Sequence, residues 1–255
     1  MKRIVIKVGT AVLTQDSHIA EDRLANIVKL LIDLKKRYEV VLVSSGAVSA
    51  GYTQLKLDKK ILQNKQALAA IGQPLLMKKY RLAFAEHNEL CAQILLTAAN
   101  LNTPNQNEKI KNTMNILLEN GVVPIVNEND ATATDELGVG DNDQLSAYVS
   151  CNINADMLII LSDIDAYYDS DPHKNSDAKV RKVVRFIDEC ELQQCASPNS
   201  EFATGGIVTK LKAASYMLTC EREMFLASGF NLEDVRSFLI DDKHLGGTLF
   251  TCKEI

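Results

Sequence analysis

Six short apolar runs rich in β-branched residues recur along the chain, at 4–8, 40–43, 93–96, 122–126, 157–161 and 224–227. Most are separated by stretches with helical spacing. Leu24, Ile27, Val28, Leu31 and Leu34 form a stripe at intervals of three and four between Glu21 and Lys36, the pattern of a helix with one buried face. A second long helical region spans 61–85 and is expected to be interrupted at Gly72-Gln73-Pro74, a helix-breaking trio. Strands alternating with helices predict an α/β fold, a three-layer αβα sandwich with a mainly parallel central sheet covered on both faces.

A chain of 255 residues with 46% apolar and 24% charged residues can bury a full core, and no internal repeat or linker divides it, so a single domain over 1–255 is expected. The formal charge of −5 supplies no basic footprint for a nucleic-acid backbone. No apolar run approaches the ~20 residues that span a bilayer, and the opening MKRIVIK reads as a first strand rather than a leader, which predicts a cytoplasmic protein without a membrane partner. Six cysteines without a C-x-x-C pair read as buried free thiols. Segment 131–140 reads as a hairpin or lid, 165–182 as a mobile excursion, and Gly246-Gly247-Thr248-Leu249-Phe250 as a turn and closing strand.

Ligands of open α/β sheets bind beyond the carboxyl ends of the strands. Four of those ends here are small and polar: Lys7-Val8-Gly9-Thr10, Ser44-Ser45-Gly46-Ala47, Asn127-Glu128-Asn129-Asp130 and Ser162-Asp163. Gly46 and Gly51 have the spacing of a phosphate-binding Walker loop, but Tyr52 stands where that loop needs lysine. The better reading is a turn into a helix N-terminus suited to an anion. Thr204-Gly205-Gly206-Ile207-Val208-Thr209-Lys210 opens another helix, with Lys210 either an ordinary solvent lysine or one reaching back over the helix start toward a phosphate. Gly140-Asp141-Asn142-Asp143 clusters two carboxylates and an amide before an apolar helix, more than a cap requires. It lacks the pattern of an EF-hand, and no metal site is assigned to side chains. Phosphoryl transfer depends on positioned positive charge. Lys7 and Lys210 are the best-placed cations, with Asp143 available to hold both.

In this order, K-V-G-T at 7–10, V-S-S-G-A at 43–47, K-Q-A-L-A-A-I-G-Q at 65–73, V-P-I-V-N-E-N-D-A-T-A-T at 123–134, G-D-N-D-Q-L-S-A at 140–147, L-S-D at 161–163, T-G-G-I-V-T-K at 204–210 and G-T-L-F at 247–250 resemble the amino acid kinase family. The N-E-N-D and G-D-N-D segments point to its branch acting on glutamate. The resemblance implies transfer of the γ-phosphoryl group of ATP, with Mg²⁺, to the γ-carboxylate of L-glutamate, the first step of proline synthesis. It implies Lys7, Lys210 and Asp143 as catalytic residues and Ser45, Asp130 and Asn142 as substrate-binding residues. Asp130, after an extended loop, would meet the ammonium group, and Ser45 and Asn142 the carboxylates. ATP would lie on Lys7, Ser162, Asp163 and the stretch Thr204, Gly205, Gly206, Ile207, Val208, Thr209, Lys210; Ser162 stands where threonine is commoner. Feedback by proline, assembly into dimers or tetramers and glutamyl phosphate reductase as downstream partner are implied likewise. The PUA domain that many members carry is not expected here. Other small-acid kinases and a sensor without turnover are the rival readings; retained Lys7, Lys210 and Asp143 speak against the sensor.

Overall fold

The computed structural model describes residues 1–16, 18–101, 103–132, 142–172, 174–188, 192 and 206–253. Its elements run β1 (Lys2–Val8), α1 (Thr10–Leu13), β2 (Thr14–Gln15), β3 (His18–Ile19), α2 (Glu21–Leu34), β4 (Tyr38–Val43), α3 (Ala47–Gln54), α4 (Leu62–Ala85), β5 (Cys91–Leu96), α5 (Ala98–Leu101), α6 (Pro104–Glu119), β6 (Val123–Glu128), α7 (Asn142–Asn152), β7 (Met157–Ser162), β8 (Val183–Val184), α8 (Ile207–Thr219), β9 (Glu223–Ser228), α9 (Glu233–Leu239) and β10 (Thr248–Phe250). Each of the six apolar runs is a strand.

Among the described residues, eight strands form one sheet in the order β5-β6-β4-β1-β7-β9-β10-β8. The pairs from β5 to β9 are parallel, and β10 turns back antiparallel to β9 while pairing parallel with β8. Side chains alternate between the faces of a strand, and here both faces are buried. Ile4, Ile6 and Val8 of β1 join Ile27, Leu31 and Leu34 of α2 and Leu76, Tyr80 and Phe84 of α4 in one layer. Val5 of β1 joins Leu145 and Val149 of α7 and Leu211, Ala214 and Met217 of α8 in the other. By the same parity Lys7 belongs to the face of Val5, under α7 and α8.

The expected break in the second helical region is absent: α4 runs unbroken from Leu62 to Ala85 with Pro74 inside it. Gly72 is a contact rather than a breaker. A Cβ there would fall 1.8 Å from the Ala47 carbonyl oxygen, and one at Gly51 would fall 1.9 Å from the Leu68 carbonyl oxygen. The two glycines let α3 and α4 touch backbone to backbone, and this packing carries the helix through its proline.

Other expectations are refined. Tyr168 bridges Val180, and Arg181 N–H donates to the Tyr167 carbonyl at 2.8 Å, so the excursion after β7 is a cross-linked hairpin. Gly247 adopts φ +77° in the turn before β10, as a glycine turn into a closing strand requires. Cys91, Cys151 and Cys220 are only half-buried and Cys252 is exposed, because they lie at element ends. Cys190, Cys195 and most of the hairpin at 131–140 lie outside the described residues. Among the described residues, no helix is long and apolar enough to cross a membrane.

Candidate active site

Strand β1 lies between β4, which follows it on one side, and β7 on the other. The connections leaving β1 and β7 therefore part at this point, where an open parallel sheet leaves a crevice. The crevice is a cavity of about 340 Å³, and Lys7, Ser45, Asn127 and Ser162 line it from the ends of β1, β4, β6 and β7. Loop ends are tied across the sheet: Gly9 N–H donates to Leu161 O at 3.0 Å and Ser44 N–H to Val126 O at 2.8 Å.

Three charged side chains meet at its buried side. Lys7 is 4% exposed, Lys210 5% and Asp143 1%. Asp143, in the first turn of α7, binds Lys7 through Oδ1 and Lys210 through Oδ2, the latter at 3.1 Å. Thr209 Oγ1 donates to the same Oδ2 at 2.8 Å, and Lys210 Nζ donates to the Gly206 carbonyl at 3.0 Å. Lys210 thus reaches back over the start of α8 into the buried cluster rather than out to solvent. Burial alone pushes the Asp143 carboxyl up, but the Lys7 and Lys210 charges with their hydrogen bonds outweigh it and hold the group below the ordinary range. One carboxylate against two ammonium groups leaves the cluster itself net positive, while the Glu128, Asp130 and Asp163 carboxylates also line the cavity.

On the other side of Lys7 the groups are neutral amides and hydroxyls. Asn142 Nδ2, with two N–H groups to share, lies within hydrogen-bond distance of Ser44 O at 2.7 Å, Ser45 Oγ at 2.9 Å and Asn127 Oδ1 at 3.0 Å. Asn142 Oδ1 is buried with no hydrogen-bond partner among the described residues. Asn127 Nδ2 in turn donates to Gln73 Oε1 of α4 at 2.8 Å. Asp130 also lines the cavity. It stands not after an extended loop but in a tight turn directly beyond β6, where Asn129 N–H donates to Leu96 O at 2.7 Å and Thr132 N–H to Asn129 O at 3.0 Å. Burial raises the Asp130 carboxyl, opposed by the charge of Lys65.

Two helix starts open on the crevice. Gly46, at φ +96°, turns the chain into α3, whose first residues Ala47, Val48 and Ser49 line the cavity. The first N–H groups of a helix have no intrahelical acceptor. Gly46 thus serves the turn into α3, whereas Gly51, the second glycine of the Walker-like spacing, serves helix packing. The second start is Gly206 before α8. Gly206, Thr209 and Lys210 line the cavity with Ser162 and Asp163, while Ile207 and Val208 continue the first turn of α8. Ser162 Oγ donates to Asp163 Oδ1 at 2.8 Å. Thr204 and Gly205 lie outside the described residues. Thr10 and Glu128, within the polar strand ends, line the cavity too, and so does Lys65, to which no role is assigned from the sequence. A charge in the first turn of a helix such as α4 carries no signal until the fold places it.

A model of the amino acid kinase family matches residues 2–228. A glutamate 5-kinase of Wolinella succinogenes is 52% identical, covering 98% of each chain. One of Leishmania donovani is 48% identical over 98% of this chain and 95% of its own. Among solved structures, carbamate kinase from Giardia lamblia bound to AMP-PNP superposes with TM-score 0.67 at 18% identity over 99% of both chains. UMP kinase from Ureaplasma parvum gives 0.66 at 16% over 98% of both. These structural likenesses establish the fold, and the family match with the high identity over nearly the whole length settles the lineage: the chain belongs to the amino acid kinase family.

Proposed function

We propose that the chain is a glutamate 5-kinase, transferring the γ-phosphoryl group of ATP to the γ-carboxylate of L-glutamate to give L-glutamyl 5-phosphate in the first step of proline synthesis. The observation that carries the reading is the Lys7–Asp143–Lys210 cluster, two buried cations oriented on one carboxylate, beside a cavity that holds a separate acid, Asp130. The relatives at 52% and 48% identity support the same choice of acceptor.

Charge on a phosphoryl group in flight spreads over its equatorial oxygens, and fixed cations are what stabilise it. A unit charge at ~4 Å contributes about 4 kcal/mol at an effective dielectric near 20, against ~0.3–2 kcal/mol for a helix end. Lys7 and Lys210 therefore carry most of the stabilisation, and Asp143 fixes their position at no cost in reorganisation. The attacking γ-carboxylate is already ionised at pH 7, so no general base is needed. The Ser45 hydroxyl accepts from Asn142 and keeps its own proton to donate to a carboxylate. Asn142 has its Nδ2 engaged, so its free Oδ1 suits the substrate ammonium beside Asp130 rather than a carboxylate. ATP would lie along Ser162, Asp163 and the start of α8, with Thr204 and Gly205 completing that loop. Among the described residues, no group of three or more His, Cys, Asp or Glu side chains could hold a metal ion. Mg²⁺ therefore fits as a companion of the nucleotide, held mainly by phosphates and water and neutralising phosphate charge when bound.

The same reading implies a single kinase domain acting in the cytoplasm, assembly into dimers or tetramers, and glutamyl phosphate reductase as the enzyme that uses the labile product. Proline would compete at the glutamate subsite; saturating proline that leaves activity unchanged at limiting glutamate would remove that element. The assignment itself is tested by ATP turnover with glutamate, aspartate, N-acetylglutamate and carbamate, trapping the acyl phosphate with hydroxylamine. Hydroxamate from glutamate alone is expected. Turnover with another acid would move the substrate, and turnover with none would leave a sensor.

A further inference from the structure

A glutamate molecule brings three charges into the cavity, and the groups assigned so far answer two of them. The γ-carboxylate belongs with Lys7 and Lys210, and Asp130 is the acid that suits the α-ammonium group. The α-carboxylate lacks a counter-charge, because Lys7 and Lys210, both held on Asp143 at the buried side, are assigned to the reacting end. Among the described residues, one further cationic side chain lines the cavity, Lys65. It stands in the first turn of α4, its N–H bonded to the Ile61 carbonyl at 3.0 Å. It is half-buried and makes no ion pair with a described residue. Its place is fixed by backbone contact: Leu68, one turn further on, presses its carbonyl against Gly51 of α3, the helix whose first residues line the same cavity. A lysine held there with no ion pair among the described residues is a positive charge placed to meet an anion.

We propose that Lys65 binds the α-carboxylate of the acceptor amino acid, so that Lys65 and Asp130 together recognise the α-amino-acid zwitterion while Lys7 and Lys210 keep the reacting end. The assignment rests on the glutamate reading above. Its electrostatics agree, since the Lys65 charge is felt by the Asp130 carboxyl. It also gives a physical basis for specificity: an acid with a γ-carboxylate but no charged α-carboxylate would leave Lys65 unpaired and lose most of the discrimination a polar subsite provides.

The test compares wild type, Lys65→Met and Lys65→Arg on glutamate and on isoglutamine, which has the same γ-carboxylate and ammonium but a neutral α-carboxamide. Lys65→Met should raise the KM for glutamate by about 10-fold to about 100-fold, the range for a lost hydrogen bond between charged partners. The constant for isoglutamine, as substrate or as inhibitor, and the KM for ATP should change by less than about threefold, and Lys65→Arg should recover most of the glutamate affinity. These constants do not depend on the fraction of the variant that folds. An unchanged glutamate KM, an equal loss for both acids, or a loss confined to ATP would overturn the assignment while leaving the glutamate kinase intact. Wild-type protein that forms no glutamyl hydroxamate would overturn the kinase reading, and the Lys65 assignment with it.

Discussion

Asp143 is 1% exposed and faces two ammonium groups, so its removal acts on folding as well as on turnover. Breaking a buried ion cluster by deleting one partner costs ~3–5 kcal/mol, and Asp143→Asn is expected to lose stability in that range at pH 7, measured by urea unfolding. The pH dependence has a definite sign. The folded carboxyl is held below its unfolded value, so its contribution is complete above an ordinary Asp pKa of about 3.9 and is lost as pH falls through the lowered folded value. The stability gap between wild type and Asp143→Asn should therefore narrow on acidification. Asp130 behaves oppositely, burial raising its carboxyl. Glutamate KM should begin to rise at a pH above the ordinary Asp range as Asp130 protonates, and a KM profile that Asp130→Asn leaves unaltered would sink this role. Lys7, Lys210 and Asp143 were legible as residues, since they flank apolar runs and glycine turns. Lys65 was not, because only the contact of α3 with α4 carries its helix turn to the strand ends.

The pair α3 and α4 shows how an element can be read correctly in type and wrongly in detail. Gly72-Gln73-Pro74 carries the local signal of a break, yet tertiary contact overrides it, and the trio is the most tightly used part of α4. Gly72→Ala would place a Cβ 1.8 Å from the Ala47 carbonyl, against backbone that cannot step aside. It should destabilise the protein by about 3 kcal/mol or more, the upper end for overpacking, with a matching fall in melting temperature; a variant of native stability would show that α3 and α4 are less closely fixed. Gln73, 8% exposed, supplies the acceptor for Asn127 Nδ2. Gln73→Leu should cost ~1–3 kcal/mol by leaving that amide unsatisfied. The two-residue strands β2, β3 and β8 left no trace in the sequence pattern, because period-two alternation needs more residues than they have.

At the scale of the molecule, the alternation of apolar runs and helices specified layers and parallel pairing, while strand order came only with the structure. The order matters for function, since β1 is central, with β4 and β7 on either side, and the crevice opens at its end. The same order predicts a stability map: backbone amides of β1, β4 and β7 should exchange hydrogen slowest, and those of the β2–β3 hairpin and the edge strand β8 fastest. On the proposed reading one cavity divides its work, with Lys210 stabilising the phosphoryl group in transfer and Asp130 holding the amino acid. The most direct test of that division is steady-state kinetics of Lys210→Ala and Asp130→Ala side by side. Lys210→Ala should lower kcat by about a thousandfold with little change in glutamate KM, as loss of ~4 kcal/mol in the transition state requires. Asp130→Ala should chiefly raise glutamate KM. The reverse pattern, with Lys210→Ala acting on glutamate binding and Asp130→Ala on kcat alone, would contradict it.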